Sequence, residues 1–188
     1  GILGPHCLAA HCVWLDEGDI SILADRDVSV AYNPSSNVKL ASGVAPIPEL
    51  LAAGLRVGLG TDSNLSNNNL DMLSEMDTVA KLHKVNTMDP TVLDADTVLA
   101  MATIEGAKAL ELGSAIGSLE CGKMADLIVI DPHQPHLTPM YDAASHLVYA
   151  ANGADVVTTM INGTIVMESR QLKTIELASL LADINHIA

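Results

Sequence analysis

Short apolar runs alternate with amphipathic stretches along most of the chain. The runs bounded by Gly, Pro, Asn or Asp are typical of buried strands and cover residues 8–13, 28–32 and 56–60. Apolar residues recur at helical spacing over residues 16–25, 46–53, 69–85, 95–101 and 104–110. The predicted N-caps are Asp16, Asp94 and Thr103. This alternation predicts an α/β fold in which crossover helices join parallel strands.

Two details of this pattern concern polar residues. Asn33 and Pro34 close the second strand, because the residue before Pro is pushed out of helical space, and a turn is predicted there. In the long helix over 69–85, His83 is expected on or near the polar face.

The pattern changes in the last third of the chain. A strand is predicted over 125–131, and the dipeptide Asn162-Gly163 between the apolar runs 156–161 and 164–167 is a strong hairpin signal. A terminal amphipathic helix is predicted over 176–187. This region is therefore expected to form a small antiparallel β unit.

The composition allows a packed core and excludes several classes of function. Of the 188 residues, 49% are hydrophobic, while aromatic residues make up 2% and Phe is absent, so the core must be aliphatic. The net charge of −14 repels polyanions, and too few aromatic rings are present to stack on bases. No apolar run is long enough to span a bilayer. Neither nucleic acid nor a membrane is an expected partner.

Histidines and cysteines cluster near the start of the chain. Three cysteines are an odd number in a chain too large to need disulfides, which favours a reducing, cytoplasmic location. His6, Cys7, His11 and Cys12 include the ligand types of a zinc site. Because side chains alternate along a strand, His11 and Cys12 are expected to point apart, which argues against such a site. His11 alone is either a site residue or a hydrogen-bonded core histidine.

A carboxylate follows the strand predicted over 56–60. Asp62 lies in a polar turn just beyond that strand, where a helix then starts. The strand ends on one face of a parallel α/β barrel carry its chemistry, so Asp62 is placed where a metal ligand or proton acceptor is expected. Asp is also a common turn residue, so a capping role is the alternative.

Four motifs in this order resemble one family. They are residues 9–13, residues 32–43, Gly60-Thr61-Asp62 with residues 66–68, and residues 117–131. Together they resemble the C-terminal half of the amidohydrolase superfamily, and within it the 5-methylthioadenosine/S-adenosylhomocysteine deaminases and the related triazine chlorohydrolases. The resemblance covers essentially the whole chain.

This resemblance implies a specific fold. The expected fold is the C-terminal part of a (β/α)8 TIM barrel, with strands six to eight, plus the C-terminal part of a small β-sandwich domain. His11 would end strand six, Asn33 would follow strand seven and Asp62 would end strand eight. The implied portions are the barrel at 1–116, the sandwich at 117–170 and a C-terminal helix at 171–188.

The resemblance also implies a chemistry. Asp62 matches an aspartate that ligates one divalent metal, zinc or iron, and accepts a proton from the attacking water. His11 matches a histidine beside the metal that polarises the hydroxide or the substrate, and Ser66 matches a serine that contacts substrate. The implied reaction is hydrolytic deamination of a purine nucleoside, in which metal-activated hydroxide attacks the amino-bearing ring carbon.

Two motifs of the family have no counterpart in this sequence. One is the His-x-His pair that supplies two metal ligands, and the other is the His-x-x-Glu motif that supplies an acid. The chain is therefore expected to need a missing N-terminal half, in the same polypeptide or a partner chain, and to associate through uncovered apolar faces, for example as a homo-oligomer. The alternatives are another amidohydrolase, such as a guanine deaminase or a triazine chlorohydrolase, and a non-catalytic fragment or structural subunit.

Overall fold

Two β-sheets organise the chain in the computed structural model, which describes residues 1–187. The first sheet is parallel, in the order β1-β2-β3, with β1 at Leu8–Ala10, β2 at Ser29–Tyr32 and β3 at Val57–Leu59. The second is antiparallel, in the order β4-β5-β6-β7, with strands at Leu127–Ile130, Val156–Ile161, Thr164–Glu168 and Gln171–Leu172. The α/β prediction, the parallel order and the hairpin at Asn162-Gly163 are confirmed.

Helices connect and cover these strands. They are α1 (Glu17–Asp25), α2 (Pro34–Lys39), α3 (Ile47–Ala52), α4 (Asn64–Asn67), α5 (Met72–Thr87), α6 (Ala95–Ala102), α7 (Ile104–Ala109), α8 (Ala143–Tyr149) and α9 (Leu177–Ile187). Short 3₁₀ turns lie at Pro135–Leu137 and Gly153–Asp155. Within residues 1–187, each helix is too short or too polar to cross a membrane.

Local capping explains where several helices begin. Asp16 accepts a hydrogen bond from the Asp19 amide at 2.9 Å and completes a capping box, as its predicted N-cap role requires. Thr103 is the N-cap residue of α7, as predicted, but its side chain makes no capping hydrogen bond: its hydroxyl donates to the carbonyl of Leu99 at 2.7 Å. Thr103 follows α6 directly, so the hydroxyl bonds back into the preceding helix instead.

Helix α2 replaces part of the predicted turn after β2. Pro34 is the first residue of this helix, where its fixed φ suits a helical start and its missing N–H costs no hydrogen bond. Asn33 keeps a non-helical backbone, as expected for a residue before Pro. The chain therefore turns into a helix immediately beyond the strand end.

Strand β1 is shorter than predicted. It ends at Ala10, and His11 and Cys12 have left-handed backbone angles, with φ of 66° and 51°. The expectation that these two side chains alternate across a strand is therefore wrong. The His11 amide still donates to the carbonyl of Ala31 at 2.9 Å, so His11 stays attached to the edge of the sheet.

The core lies between the parallel sheet and the long helix α5. His83 is fully buried there, so its expected place near the polar face is wrong. Its position continues the apolar series Met76, Val79 and Ala80 of α5, which are all buried. The His83 ring packs against Tyr32 of β2, with ring centroids 5.6 Å apart.

The two sheets share this core. Helix α8 lies between β4 and β5 in sequence and packs against α5 and α6. Its Val148 and the nearby Leu137 are buried in the same hydrophobic cluster as Val30 and Val57 of the parallel sheet. The division of the chain at residues 116 and 170 stays a prediction.

Candidate active site

The candidate site lies at the carboxyl edge of the parallel sheet. His11 follows β1 directly, Asn33 follows β2 directly and Asp62 lies three residues beyond β3. Because these neighbouring strands are parallel, their carboxyl ends meet at one edge. The structure brings His11 and Asp62 together, with 3.9 Å between His11 Nε2 and Asp62 Oδ2.

Both residues occupy an unusual backbone conformation. Asp62 has a φ of 59° and His11 a φ of 66°, in the left-handed region that non-glycine residues seldom adopt. Such conformations cost roughly 1–3 kcal/mol each and persist where the surrounding structure holds them. The backbone therefore turns sharply at His11 and at Asp62, just beyond the ends of β1 and β3.

Two serine hydroxyls hold the Asp62 carboxylate. Ser36 of α2 and Ser66 of α4 each donate to Asp62 Oδ2 at 2.6 Å. The hydroxyl of Ser36, then that of Ser66, and then the backbone amide of Ser63 lower the Asp62 pKa from 3.8 to about 2. Asp62 is therefore an anion at neutral pH, and among residues 1–187 no side chain donates to its Oδ1.

A neighbouring residue of α2 holds the histidine. Asn37 Oδ1 lies 2.8 Å from His11 Nδ1, at the side of the ring opposite to Nε2. Asn37 is 2% exposed and the His11 side chain is 39% exposed, so the contact is buried on the Asn37 side. Consecutive residues of one short helix therefore contact both candidate catalytic side chains.

The buried carboxylate of Glu75 connects the segments that hold Asp62. Glu75 of α5 is 1% exposed, and it accepts from the backbone amide of Ser35 at 3.1 Å and from Asn67 Nδ2 at 2.8 Å. Asn67 Nδ2 also donates to the carbonyl of Thr61 at 2.6 Å. Glu75 thus ties α2 to the loop that carries Asp62.

A glycine allows the strand ends to approach each other. A Cβ on Gly60 would lie 2.6 Å from Asn33 Oδ1, which is closer than real contacts of this kind. Asn33 Nδ2 donates to the carbonyl of Ala31 at 3.2 Å, so its amide is fixed beside the end of β2. Gly60 therefore leaves the space that the Asn33 amide occupies.

The residues present fit one corner of a metal site. Asp62 is ionised, is partly exposed and has an oxygen free of side-chain donors, which suits a divalent cation. The structure brings together no group of three or more His, Cys, Asp or Glu side chains that could hold a metal ion within residues 1–187. Any complete ligand shell would need further donors.

Three polar residues of the site were not predicted from the sequence to be site residues. Ser36 and Asn37 belong to a segment expected to be a turn, and Glu75 lies inside an amphipathic helix. Pro34 offered one usable signal, since Pro favours the first position of a helix and would have placed both residues on a helix beside the strand end. Glu75 lies four residues before Val79, so helical spacing places it beside the buried face of α5, whereas its polarity favours an exposed position.

A separate apolar groove lies between the two sheets. It has a volume of about 970 Å³, and its lining includes Leu59, Leu99, Ile116, Leu127, Ile128 and Leu147. Neither His11 nor Asp62 lines this groove. Leu8 of the edge strand β1, which also lines it, is 42% exposed.

The chain is similar to curated deaminases over its whole length. It is 54% identical over 188 residues to a 5-methylthioadenosine/S-adenosylhomocysteine deaminase of Syntrophobacter fumaroxidans, covering 100% of this chain and 43% of that protein. It is 56% identical over 169 residues to a 5'-deoxyadenosine deaminase of Methanosarcina acetivorans, covering 90% of this chain and 39% of that protein. The chain thus spans less than half the length of these relatives.

The chain is also similar to parts of two solved enzyme structures. An adenosine deaminase from Xanthomonas campestris with bound zinc is 40% identical, with a TM-score of 0.96 over 99% of this chain and 42% of that one. An atrazine chlorohydrolase from Arthrobacter aurescens TC1, complexed with zinc, is 27% identical with a TM-score of 0.89, over 98% of this chain and 41% of that one. The amidohydrolase family model matches residues 1–166. The chain belongs to the amidohydrolase family.

Proposed function

We propose that this chain is part of a metal-dependent hydrolytic deaminase that acts on a purine nucleoside such as 5-methylthioadenosine or S-adenosylhomocysteine. The observation that supports it most directly is the meeting of His11 Nε2 and the Asp62 carboxylate, 3.9 Å apart, at the carboxyl edge of parallel strands. The deaminase names of relatives at 54% and 56% identity support the substrate class.

Asp62 would be one metal ligand in this proposal. Its Oδ2 accepts from two serine hydroxyls, and the carboxylate would hold the cation with the acceptor capacity that remains. A bound divalent cation, which we propose is zinc, with iron as the alternative, would lower the pKa of a bound water so that it can serve as the nucleophile near neutral pH. Asp62, ionised at that pH, can accept a proton from the nucleophile.

His11 would act beside Asp62 on the same reacting group. Its Nε2 faces Asp62, while Nδ1 is engaged by Asn37. A ring held in this way can orient the nucleophile and stabilise charge that develops during attack on the amino-bearing carbon. Loss of ammonia also needs a proton donor, which would come from outside residues 1–188.

Ser66 would contact the substrate through its lone pairs. Its hydroxyl donates to Asp62 Oδ2 at 2.6 Å, so its proton is already committed. The oxygen can still accept a hydrogen bond from an N–H or O–H group of a nucleoside. Ser66 is therefore proposed to accept from the substrate while holding Asp62.

The fold supports a requirement for additional protein. We propose that β1, β2 and β3 correspond to barrel strands six to eight, and that the antiparallel strands belong to a β-sandwich. The apolar groove of about 970 Å³ and the single candidate metal ligand both favour completion by another segment or partner chain. The proposed portions are residues 1–116, 117–170 and 171–188.

A second amidohydrolase activity is the main alternative. The chlorohydrolase from Arthrobacter aurescens shares this fold at 27% identity, so in this alternative the same metal chemistry would displace chloride. The deaminase relatives are about twice as similar, which favours ammonia as leaving group. A structural subunit would not need the hydrogen-bonded arrangement of Ser36, Ser66 and Asp62.

The test is a substrate panel on the protein that contains this chain and supplies the remaining ligands. Purified protein, loaded with zinc, is incubated separately with 5-methylthioadenosine, S-adenosylhomocysteine, 5'-deoxyadenosine, guanine and atrazine. Ammonia release from at least one adenosine derivative is expected, together with the spectral change from adenine to hypoxanthine. Release only from guanine, chloride release from atrazine, or no turnover at all would contradict the proposal.

A further inference from the structure

His11 is held by the buried residue Asn37. Asn37 is buried, and its backbone is fixed at both polar groups: its amide donates to the carbonyl of Asn33 at 3.1 Å, and its carbonyl accepts from Ser42 at 2.9 Å. Its Oδ1 lies 2.8 Å from His11 Nδ1. The side chain that touches the imidazole is thus attached to a rigid piece of backbone.

The atoms involved determine where the ring proton lies. A carboxamide oxygen can only accept, so the contact requires a proton on His11 Nδ1. A neutral imidazole carries one proton, so Nε2 is then unprotonated and directs its lone pair toward the Asp62 side of the site. Nε2 can consequently receive a proton or a hydrogen bond from a nucleophile.

We propose that Asn37 is a positioning residue that fixes both the orientation and the Nδ1–H tautomer of His11. The consequence for catalysis rests on the proposed function, whereas the tautomer itself does not. The hydrogen bond that engages the second nitrogen of a histidine commonly sets the tautomer and orientation of the first. Asn37 has no role in the motif-based assignment of His11, Asp62 and Ser66.

Helix α2 positions Asp62 as well as His11. Ser36 donates to Asp62 and Asn37 accepts from His11, so adjacent residues of one helix contact the carboxylate and the imidazole. The helix is itself tied to α5, because the Ser35 amide donates to Glu75. A shift of α2 would therefore move both contacts together, which keeps the two side chains in one relative geometry.

Three variants separate positioning from packing. Asn37→Leu keeps approximate size and removes the acceptor. Asn37→Asp keeps an oxygen acceptor at this position, but it replaces the Nδ2 group, which has no hydrogen-bond partner among the residues described, by a second oxygen and adds a negative charge when ionised. Asn86→Leu is the matched control, because Asn86 is exposed near the end of α5 and makes no side-chain hydrogen bond within residues 1–187.

The readout is the tautomer of His11 in ¹⁵N-histidine-labelled whole protein, measured well above the ordinary histidine pKa. The His11 signals are assigned by their loss in His11→Gln. The unchanged protein, Asn37→Asp and Asn86→Leu should show protonated Nδ1 and unprotonated Nε2. Asn37→Leu should shift toward the Nε2–H tautomer while its circular dichroism and metal content stay unchanged.

Kinetics provide the second readout. Asn37→Leu should lower kcat roughly 10- to 100-fold with little change in KM, the size typical of losing a partner that orients a site histidine. Asn37→Asp should recover most of that loss. An Nε2–H tautomer in the unchanged protein, or an Asn37→Leu variant with the original tautomer and kcat, would overturn the proposal. If no adenosine derivative is deaminated, the proposed function fails, and the ¹⁵N spectra still decide the role of Asn37.

Discussion

Replacing Ser36 with Ala tests how the Asp62 carboxylate is kept ionised. The Ser36 hydroxyl donates to Asp62 Oδ2 at 2.6 Å and is the largest cause of the lowered Asp62 pKa. Ser36 is 1% exposed, so water cannot easily replace the missing hydroxyl. The Asp62 pKa should therefore rise in Ser36→Ala.

The size of the rise is bounded by the structure. The pKa of Asp62 lies at about 2 in the native site, against an ordinary 3.8. Ser66 still donates at 2.6 Å in the variant, and the Ser63 amide also remains, so the pKa should settle between these two values. Because the native pKa is below the unfolded one, Asp62 stabilises the fold above about pH 4 and loses that contribution as pH falls toward 2. The variant should lose less stability across this window.

The assay is an NMR pH titration of ¹³C-carboxyl-labelled aspartate in metal-free protein, combined with urea unfolding at neutral and acid pH. Ser35→Ala is the matched control, because Ser35 contributes only its backbone amide to the network. An unchanged Asp62 pKa in Ser36→Ala would refute the reasoning. So would an equal rise in Ser35→Ala.

Three further predictions concern packing, acid stability and turnover. Gly58→Ala should cost about 1–3 kcal/mol of unfolding free energy in urea melts, since its Cβ would lie 2.7 Å from Gly106 Cα and the backbone must move. Burial lowers the His83 pKa from 6.5 to about 4, so as the pH falls, His83 is protonated in the unfolded chain before it is protonated in the folded chain. Stability should therefore fall by up to about 3 kcal/mol as pH drops from 6.5 to 4, and His83→Leu should remove that dependence. In the zinc-loaded whole protein, Asp62→Asn should abolish turnover and reduce bound metal, while His11→Asn should lower kcat roughly 100-fold or more with metal retained.

Each of these predictions has a matched control. Gly4→Ala places a Cβ where nothing lies within 4 Å and should leave stability unchanged. His186→Leu changes an exposed histidine and should leave the acid dependence intact, and Asp25→Asn changes an exposed carboxylate outside the site. Equal losses in Gly58→Ala and Gly4→Ala, flat stability between pH 6.5 and 4, or an Asp62→Asn variant with normal metal and rate would contradict the respective prediction.

Periodicity predicted the elements well because burial of one face leaves a direct trace in the sequence. The strands that precede His11, Asn33 and Asp62 were all located, and their parallel order followed from the intervening helices. That order is sufficient to expect His11 and Asp62 at one edge, and they lie 3.9 Å apart. Their catalytic and metal-binding roles stay proposals that the geometry supports.

The predictions that fail concern polar residues that are buried in the fold. His83 has the spacing of a core residue, but its polarity suggested the solvent face, and only tertiary packing against Tyr32 reveals the outcome. Glu75 is buried because it binds the Ser35 amide and Asn67, which are 40 and 8 residues away in sequence. Hydrogen-bond partners at such separations leave no periodic signal. The same holds for the contact of Asn37 with His11 across 26 residues.

The hydrogen bonds that hold His11 and Asp62 are therefore contained within this chain. The side chains that contact His11 and Asp62 come from α2 and α4, and Glu75 of α5 connects those two helices. Within residues 1–187, by contrast, no group of three or more His, Cys, Asp or Glu side chains could hold a metal ion. Because the Glu75 anchor joins α2 to the Asp62 loop without using any group outside residues 1–187, the geometry of the pair should precede metal binding. In the proposed metal site, the remaining ligands would close on this preformed half, which would favour a tightly fixed geometry over an adaptable one.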